Sequence, residues 1–513
     1  MTTADYVILI AYFAAILTVS ALIARRQRSG DDFFLAGRSM HGRTLALSIM
    51  ANQASAVSLV GAPAFVALQA GGGMRWLQYE LALPIAMILV IVFLLPALRS
   101  VTGASIYEFA ELRFGAGTRQ LLSLVFLVSR GLAAGVILYA SALVVSPVLG
   151  ISVPAAIFVT GLFSVAYCTL GGILADIWSD IAQLAILWVG VLISAIFVLA
   201  RAGSDVVRAI PLERTKTIVV DSLGLTDGNS FALVPMLLGG IILYMSYYAC
   251  DQSQAQRLLA ASSDEEARRA LVLNGLLRFP LVLTYCLFGL LLAGLLRVDG
   301  DFAAAMAGKP ADALVPTFIL MWLPAGMKGL LVAAILAAAM SSLDSALNSL
   351  AAVTLEDLVR IRSSNQSAWL GRGVTLAWGL SAIASALIFA RGTTGVLQLI
   401  TQVGSAVYGP VLAIFLIGAA TRSGNGRAAA VALMAGLVTN LILARTVPGM
   451  SPLWWNVTGF FISSATLFIL AGFQRGGEVV VPKQQVAVLS AAAAVMFLVV
   501  GALPPLIAWA AGG

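Results

Sequence analysis

One histidine and three cysteines are all that 513 residues hold of the side chains most used for metal centres and nucleophilic catalysis. A lone His41 cannot build a histidine-clustered metal site and leaves a Ser/His/Asp triad without support. Cys168, Cys250 and Cys286 fall inside apolar stretches, so they read as small buried thiols rather than a disulfide framework. Charge is equally scarce: 10% of residues are charged against 60% hydrophobic, and the mean hydropathy is +0.99. The net charge of +7 has no basic patch behind it, which leaves a nucleic-acid partner unsupported. No hydrophilic stretch is long enough for a soluble domain, the largest candidates being 202–230 and 297–326. A membrane enzyme therefore finds no nucleophile–base pair, no organic cofactor is implied, and a sensor lacks its signalling domain.

What is present is apolar sequence in lengths that cross a bilayer. A helix needs about 20 mostly apolar residues to span a hydrocarbon core of about 30 Å. Stretches of that kind run over 5–25, 42–70, 77–99, 121–149, 152–174, 179–201, 231–256, 272–296, 327–352, 370–391, 395–420, 427–446, 453–473 and 486–510. The fold class expected is all-α integral membrane, with about 14 transmembrane helices forming a single transmembrane domain over 1–513. The first stretch lacks a basic leader and is followed by Arg25, Arg26 and Arg28, so it reads as a retained helix rather than a cleaved signal. With the N-terminus outside, the inner connections carry 18 of the 30 Lys and Arg, as the positive-inside rule requires, and both termini face outward. The loop pattern hints at two five-span units, 42–201 and 231–420, flanked by 5–25 and 427–510; odd-numbered repeats necessarily sit in opposite orientations.

Polar residues inside such spans are costly and therefore informative. The second span reads Asn52-Gln53-Ala54-Ser55-Ala56-Val57-Ser58 and continues to Gly61 and Pro63, which predicts an interrupted helix with freed carbonyls; small residues packing helix on helix is the competing reading. In the ninth span Ala338, Ser341, Ser342 and Ser345 are three and four apart on one face, placing hydroxyls where a hard cation wants oxygens, with Asp344 beside them. Asp180 lies about one turn inside the sixth span, whereas Asp176, just after Gly171-Gly172, reads as a solvated loop acid or a helix cap. Tyr244, Tyr247, Tyr248 and Asp251 end the seventh span, and Arg257 opens a charged cytoplasmic stretch. Arg130 sits about 16 Å from Arg119 along a helix, near the midplane, and needs an anion there. A structural acid such as Glu80 and a solute carboxylate remain equal candidates.

Together these segments resemble the sodium/solute symporter family, the sodium-coupled glucose, proline, sialic acid, pantothenate and monocarboxylate carriers. The resemblance rests on Asp32-Phe33-Phe34-Leu35-Ala36-Gly37-Arg38, Tyr107-Glu108-Phe109, Leu112-Arg113-Phe114, Gly171 to Gln183, Asp251-Gln252, Gln256-Arg257 and Ala338 to Ser345. It implies an inverted five-helix repeat (LeuT-type) core of ten helices, preceded by one helix and followed by three. It also implies a sodium site from the carbonyls of Ala51, Ala54 and Ala338 with the hydroxyls of Ser341 and Ser342. A second sodium, as in the sialic acid carriers, falls on Asp180, Ser341 and Ser345, with Asp344 where a hydroxyl is expected. By position, Gln53, Ser55, Ser58, Gln78 and Arg130 match the solute site of sialic acid carriers, with Asp251 an added polar contact. The expectation is sodium-coupled symport of a small, anionic, carboxylate-bearing solute such as a sialic acid or a monocarboxylate, by alternating access, in a plasma membrane; the Ala-, Gly- and Arg-rich makeup points to a bacterial inner membrane. A sugar, amino-acid or vitamin symporter, a proton-coupled symporter using Asp344 or Asp180, and a channel or sensor are the alternatives.

Overall fold

A chain this apolar must satisfy its backbone hydrogen bonds within each segment, and helices do so. The computed structural model describes every residue except 26, 55, 230, 366, 392–395, 478, 512 and 513, and the side chains of 56, 57, 144, 339, 365 and 396–403 also fall outside it. Among the described residues there is no strand, only isolated bridges such as Met40 with Ala261. The helices that matter here are α1 (Thr3–Ala24), α2 (Gly42–Gln53), α3 (Ala56–Ala67), α4 (Met74–Arg99), α5 (Ala116–Leu149), α6 (Val153–Ala202), α7 (Leu233–Ala249), α8 (Gln252–Leu259), α9 (Asp264–Val298), α10 (Met327–Val353) and α11 (Ala368–Phe389). After them come α12 (Val396–Ala420), α13 (Gly426–Thr446), α14 (Pro452–Ala471) and α15 (Lys483–Ala510). Ten described helices are long and apolar enough to cross a membrane, twelve when each of two bent pairs counts as one span.

Those bent pairs lie where polar residues interrupt the apolar pattern. The axis turns by 57° between Gly42–Gln53 and Ser58–Ala67, and by 54° between α7 and α8. At the first break Ala54 leaves helical geometry with ψ 67; at the second, Asp251 is extended with ψ 119 and caps α8 through its side chain on the Ser253 N–H. The expected interruption of the second span is therefore present.

Helix α6 departs from expectation. The sequence places two spans, 152–174 and 179–201, on either side of a turn at 175–178; the structure instead runs helix through 175–178 and breaks it only at Gly172, φ 55 and ψ −156. Its 50 residues would extend about 75 Å as a straight helix, more than twice the hydrocarbon thickness. Glycine is required at the break, because a β-carbon there would lie 2.5 Å from the Phe33 carbonyl oxygen.

The connections sort by end. Arg38 donates to the carbonyls of Thr102 and Gly103, Arg99 to Asp264 and the carbonyls of Leu258 and Ala261, Arg113 to the carbonyls of Thr421 and Ser423, and Arg119 to Glu111 and Asp357. All of these belong to the connections expected inside. At the opposite end Gln78 meets Val219 and Phe231, Arg214 meets Leu68, and Trp454 meets Leu223. There too Asp5 takes the N–H groups of Gly326 and Gly329, joining α1 to the start of α10. Cys168, Cys250 and Cys286 are free and buried.

Candidate functional site

The break at Asp251 opens on a cavity of about 100 Å³. Arg130 of α5 enters its wall, together with Ser246 and Asp251 of the broken pair, Tyr107, and Tyr408 of α12. The guanidinium donates to the Ser253 hydroxyl at 2.9 Å and lies 3.6 Å from the Asp251 carboxylate. Ser253 in turn donates to Asp251 at 2.6 Å, and the Tyr408 hydroxyl donates to the other Asp251 oxygen at 3.3 Å. Arg130 Nε and the Ser246 hydroxyl are buried with no hydrogen-bond partner among the described residues. Of the two open readings of Arg130, the Glu80 partnership is not the one formed: Glu80 binds Arg278 at 3.0 Å and accepts from Tyr244 at 3.1 Å, while Asp251 stands opposite Arg130.

The other expected solute residues divide. Gln53 accepts from the Tyr248 hydroxyl, and Ser58 reaches back to the Gln53 carbonyl at 3.5 Å, so both sit at the α2/α3 break. Gln78 is spent elsewhere: its amide bridges the Arg75 and Phe231 carbonyls and accepts from Val219, tying together the end expected outside, away from the cavity. Ser55 lies outside the described residues.

Helix α10 meets the first break directly. Ser342 donates to the Asn52 carbonyl at 2.9 Å, one of the carbonyls the interruption frees. Ala51, Ala54 and Ala338 are buried at the same junction. Toward the end expected inside, Ser341 donates to Asp180, Ser48 donates to Asp180 at 2.5 Å, and Ser345 lies within 3.2 Å of Asp176. Between them stands Arg257, 1% exposed, bonded at 2.8 Å to both Asp176 and Asp180. Two expectations are corrected here. Asp176 is neither solvated nor a cap but 1% exposed and ion-paired, because helix runs on past Gly172; and Arg257 points into the protein rather than into a cytoplasmic loop. Asp344 is fully buried, and neither carboxylate oxygen has a partner among the described residues.

The model of the sodium:solute symporter family matches residues 33–436. The chain belongs to that family. Among this symporter's relatives, a putative sodium-dependent multivitamin transporter from Drosophila melanogaster is 30% identical, covering 84% of this chain and 73% of its own. Sodium-coupled monocarboxylate transporter 1 from Xenopus laevis is 29% identical over 86% of this chain and 71% of its own. A sodium/sialic acid symporter from Aliivibrio fischeri is 25% identical over 89% and 90%. The solved outward-open structure of a Na+-coupled sialic acid symporter superposes with a TM-score of 0.78 at 23% identity, covering 91% of this chain and 97% of that one. Mhp1, a nucleobase-cation-symport-1 family transporter, gives 0.52 at 16%, covering 90% and 94%. The likeness shows the fold of the symporter, the inverted-repeat, LeuT-type architecture, in a multi-pass membrane protein.

Three participants escaped the sequence reading of this symporter: Ser253, Tyr408 and the inward turn of Arg257. Ser253 sits two residues after an expected contact and Tyr408 in a mostly apolar span, so neither departs from its surroundings enough to stand out.

Proposed function

We propose that this symporter carries a small carboxylate-bearing solute together with sodium, and that Arg130 receives the carboxylate. The observation that carries the reading is a buried guanidinium facing a cavity with Nε unpartnered, since a buried donor left unmade costs about 1–3 kcal/mol and a carboxylate would satisfy it. About 100 Å³ is the space of roughly three waters at about 30 Å³ each, which is closer to the size of a small monocarboxylate than to a sialic acid of about twenty heavy atoms. Gln53, Ser55 and Ser58 would flank the path to it, with Asp251 the polar contact and Gln78 a strut of the outer end.

Sodium belongs first with the carbonyls of Ala51, Ala54 and Ala338 and the hydroxyls of Ser341 and Ser342. The bond from Ser342 to a freed carbonyl supports that placement. A second sodium belongs with Asp180, Ser341, Asp344 and Ser345, where the unpartnered Asp344 carboxylate would gain a counter-charge. Counting the α6 halves and α12 as spans gives fourteen crossings in one domain, with repeats over about 42–201 and 231–420. The two bent pairs then open the two repeats at corresponding positions, where transporters of this kind bind their cargo. A plasma membrane, bacterial inner membrane by composition, is the proposed setting.

Ligand that binds only the folded state raises apparent stability. The purified protein should melt several degrees higher in sodium plus lactate than in choline plus lactate, and less so with sialic acid, pantothenate, proline or galactose. Arg130→Gln should abolish the lactate increment while keeping the sodium one. Identical melting in both cations across the panel would remove the reading.

A further inference from the structure

Arg257 is a full positive charge in the interior that neither the solute site nor the first sodium position uses. It donates from Nε to Ser48 Oγ at 2.7 Å, from Nη1 to the Ser253 carbonyl at 2.7 Å, and from Nη2 to Asp176 and Asp180 at 2.8 Å and Ser345 Oγ at 2.6 Å. Ser341 donates to the same Asp180 carboxylate. Three of the four groups assigned above to the second sodium, Asp180, Ser341 and Ser345, are thus held in one guanidinium network, and the fourth, Asp344, is the one left without a partner. A guanidinium and a sodium ion cannot share these oxygens, because two positive charges a few ångströms apart in a low-dielectric interior repel strongly. Asp176, one helical turn before Asp180 on α6, is already bonded to the guanidinium and can keep it when Asp180 is taken.

We infer that Arg257 is an internal competitor of sodium, occupying Asp180 until the ion displaces it onto Asp176, and that Ser253 passes this displacement to the solute site. Ser253 touches both arginines: its carbonyl accepts from Arg257, while its hydroxyl accepts from Arg130 and donates to Asp251. Both contacts ride on α8, eight residues long, so movement of Arg257 at its last turn reaches Ser253 at its first. Binding sodium therefore disturbs the pairing that keeps Asp251 opposite Arg130, and the solute meets a guanidinium with a loosened partner.

This inference rests on the sodium reading above. Its test needs sodium alone: sodium is titrated against choline at constant ionic strength, without solute, on full-length protein, and the concentration giving half the stabilisation is read. Arg257→Gln should lower that midpoint at least about threefold, Arg257→Lys should fall between it and the wild type, and Asp176→Asn should raise it, since Arg257 then has only Asp180. A purely structural Arg257 predicts a raised or unchanged midpoint in R257Q, and either result overturns the inference. If R257Q does not fold, D176N decides: a raised midpoint supports competition and an unchanged one overturns it. Wild-type protein with no sodium response overturns the sodium reading and this inference together, whereas a responsive wild type with unresponsive variants overturns the inference alone.

Discussion

The Arg130 guanidinium illustrates how one residue can be half understood from sequence. Its depth in the membrane demanded an anion, and the structure supplies Asp251 at 3.6 Å, loosely enough to be exchanged for a solute carboxylate. Removing that partner leaves a buried positive charge, at a cost of up to about 3–5 kcal/mol. Asp251→Asn should therefore melt lower than wild type without solute and recover disproportionately when lactate is added in sodium; equal recovery in both proteins would argue against exchange. Asp251, Arg130, Asp180 and the serines of α10 were legible because each breaks an apolar pattern. Asp176 and Arg257 were not, since near a span's end a charge that snorkels to water and a charge that turns inward have the same sequence. Only the convergence of α2, α6, α8 and α10 shows which occurs.

At the scale of elements, polar residues in the middle of a span marked the α2/α3 interruption, while the α7/α8 bend beside Asp251 emerged with the structure. The break in α6 was misplaced because Gly171-Gly172 looked like the lead into a turn, when Gly172 alone supplies the bend and helix resumes at once. Gly172→Ala should be severely destabilising. Its φ of 55 with ψ of −156 is a conformation open almost only to glycine, costing a β-carbon-bearing residue about 1–3 kcal/mol, and the added carbon would collide with the Phe33 carbonyl and ring. A thermal melt of G172A within a degree or two of wild type would show that the bend is not held by this contact.

For the whole molecule, the alternation of ends was readable from basic residues, and the hydrogen bonds sort the same connections together. The proposed two-repeat plan is only hinted at by the loop pattern, because inverted repeats share geometry rather than sequence. Charge balance sets a further expectation. A monoanion travelling with one sodium moves no net charge, whereas two sodium ions move one, worth about 2.3 kcal/mol per 100 mV. Uptake of lactate into proteoliposomes should rise severalfold when an inside-negative potential is imposed; voltage-independent uptake would limit the stoichiometry to one sodium per anion.

The arginines of the inner end carry a consequence for speed. Arg38, Arg99 and Arg113 bind mainly backbone carbonyls of distant segments, and Arg99 also holds Asp264. Opening that end to water has to release several of these bonds within one event, since each ties the same few connections. Parting these connections would then slow the opening of that end through residues assigned to neither sodium nor solute.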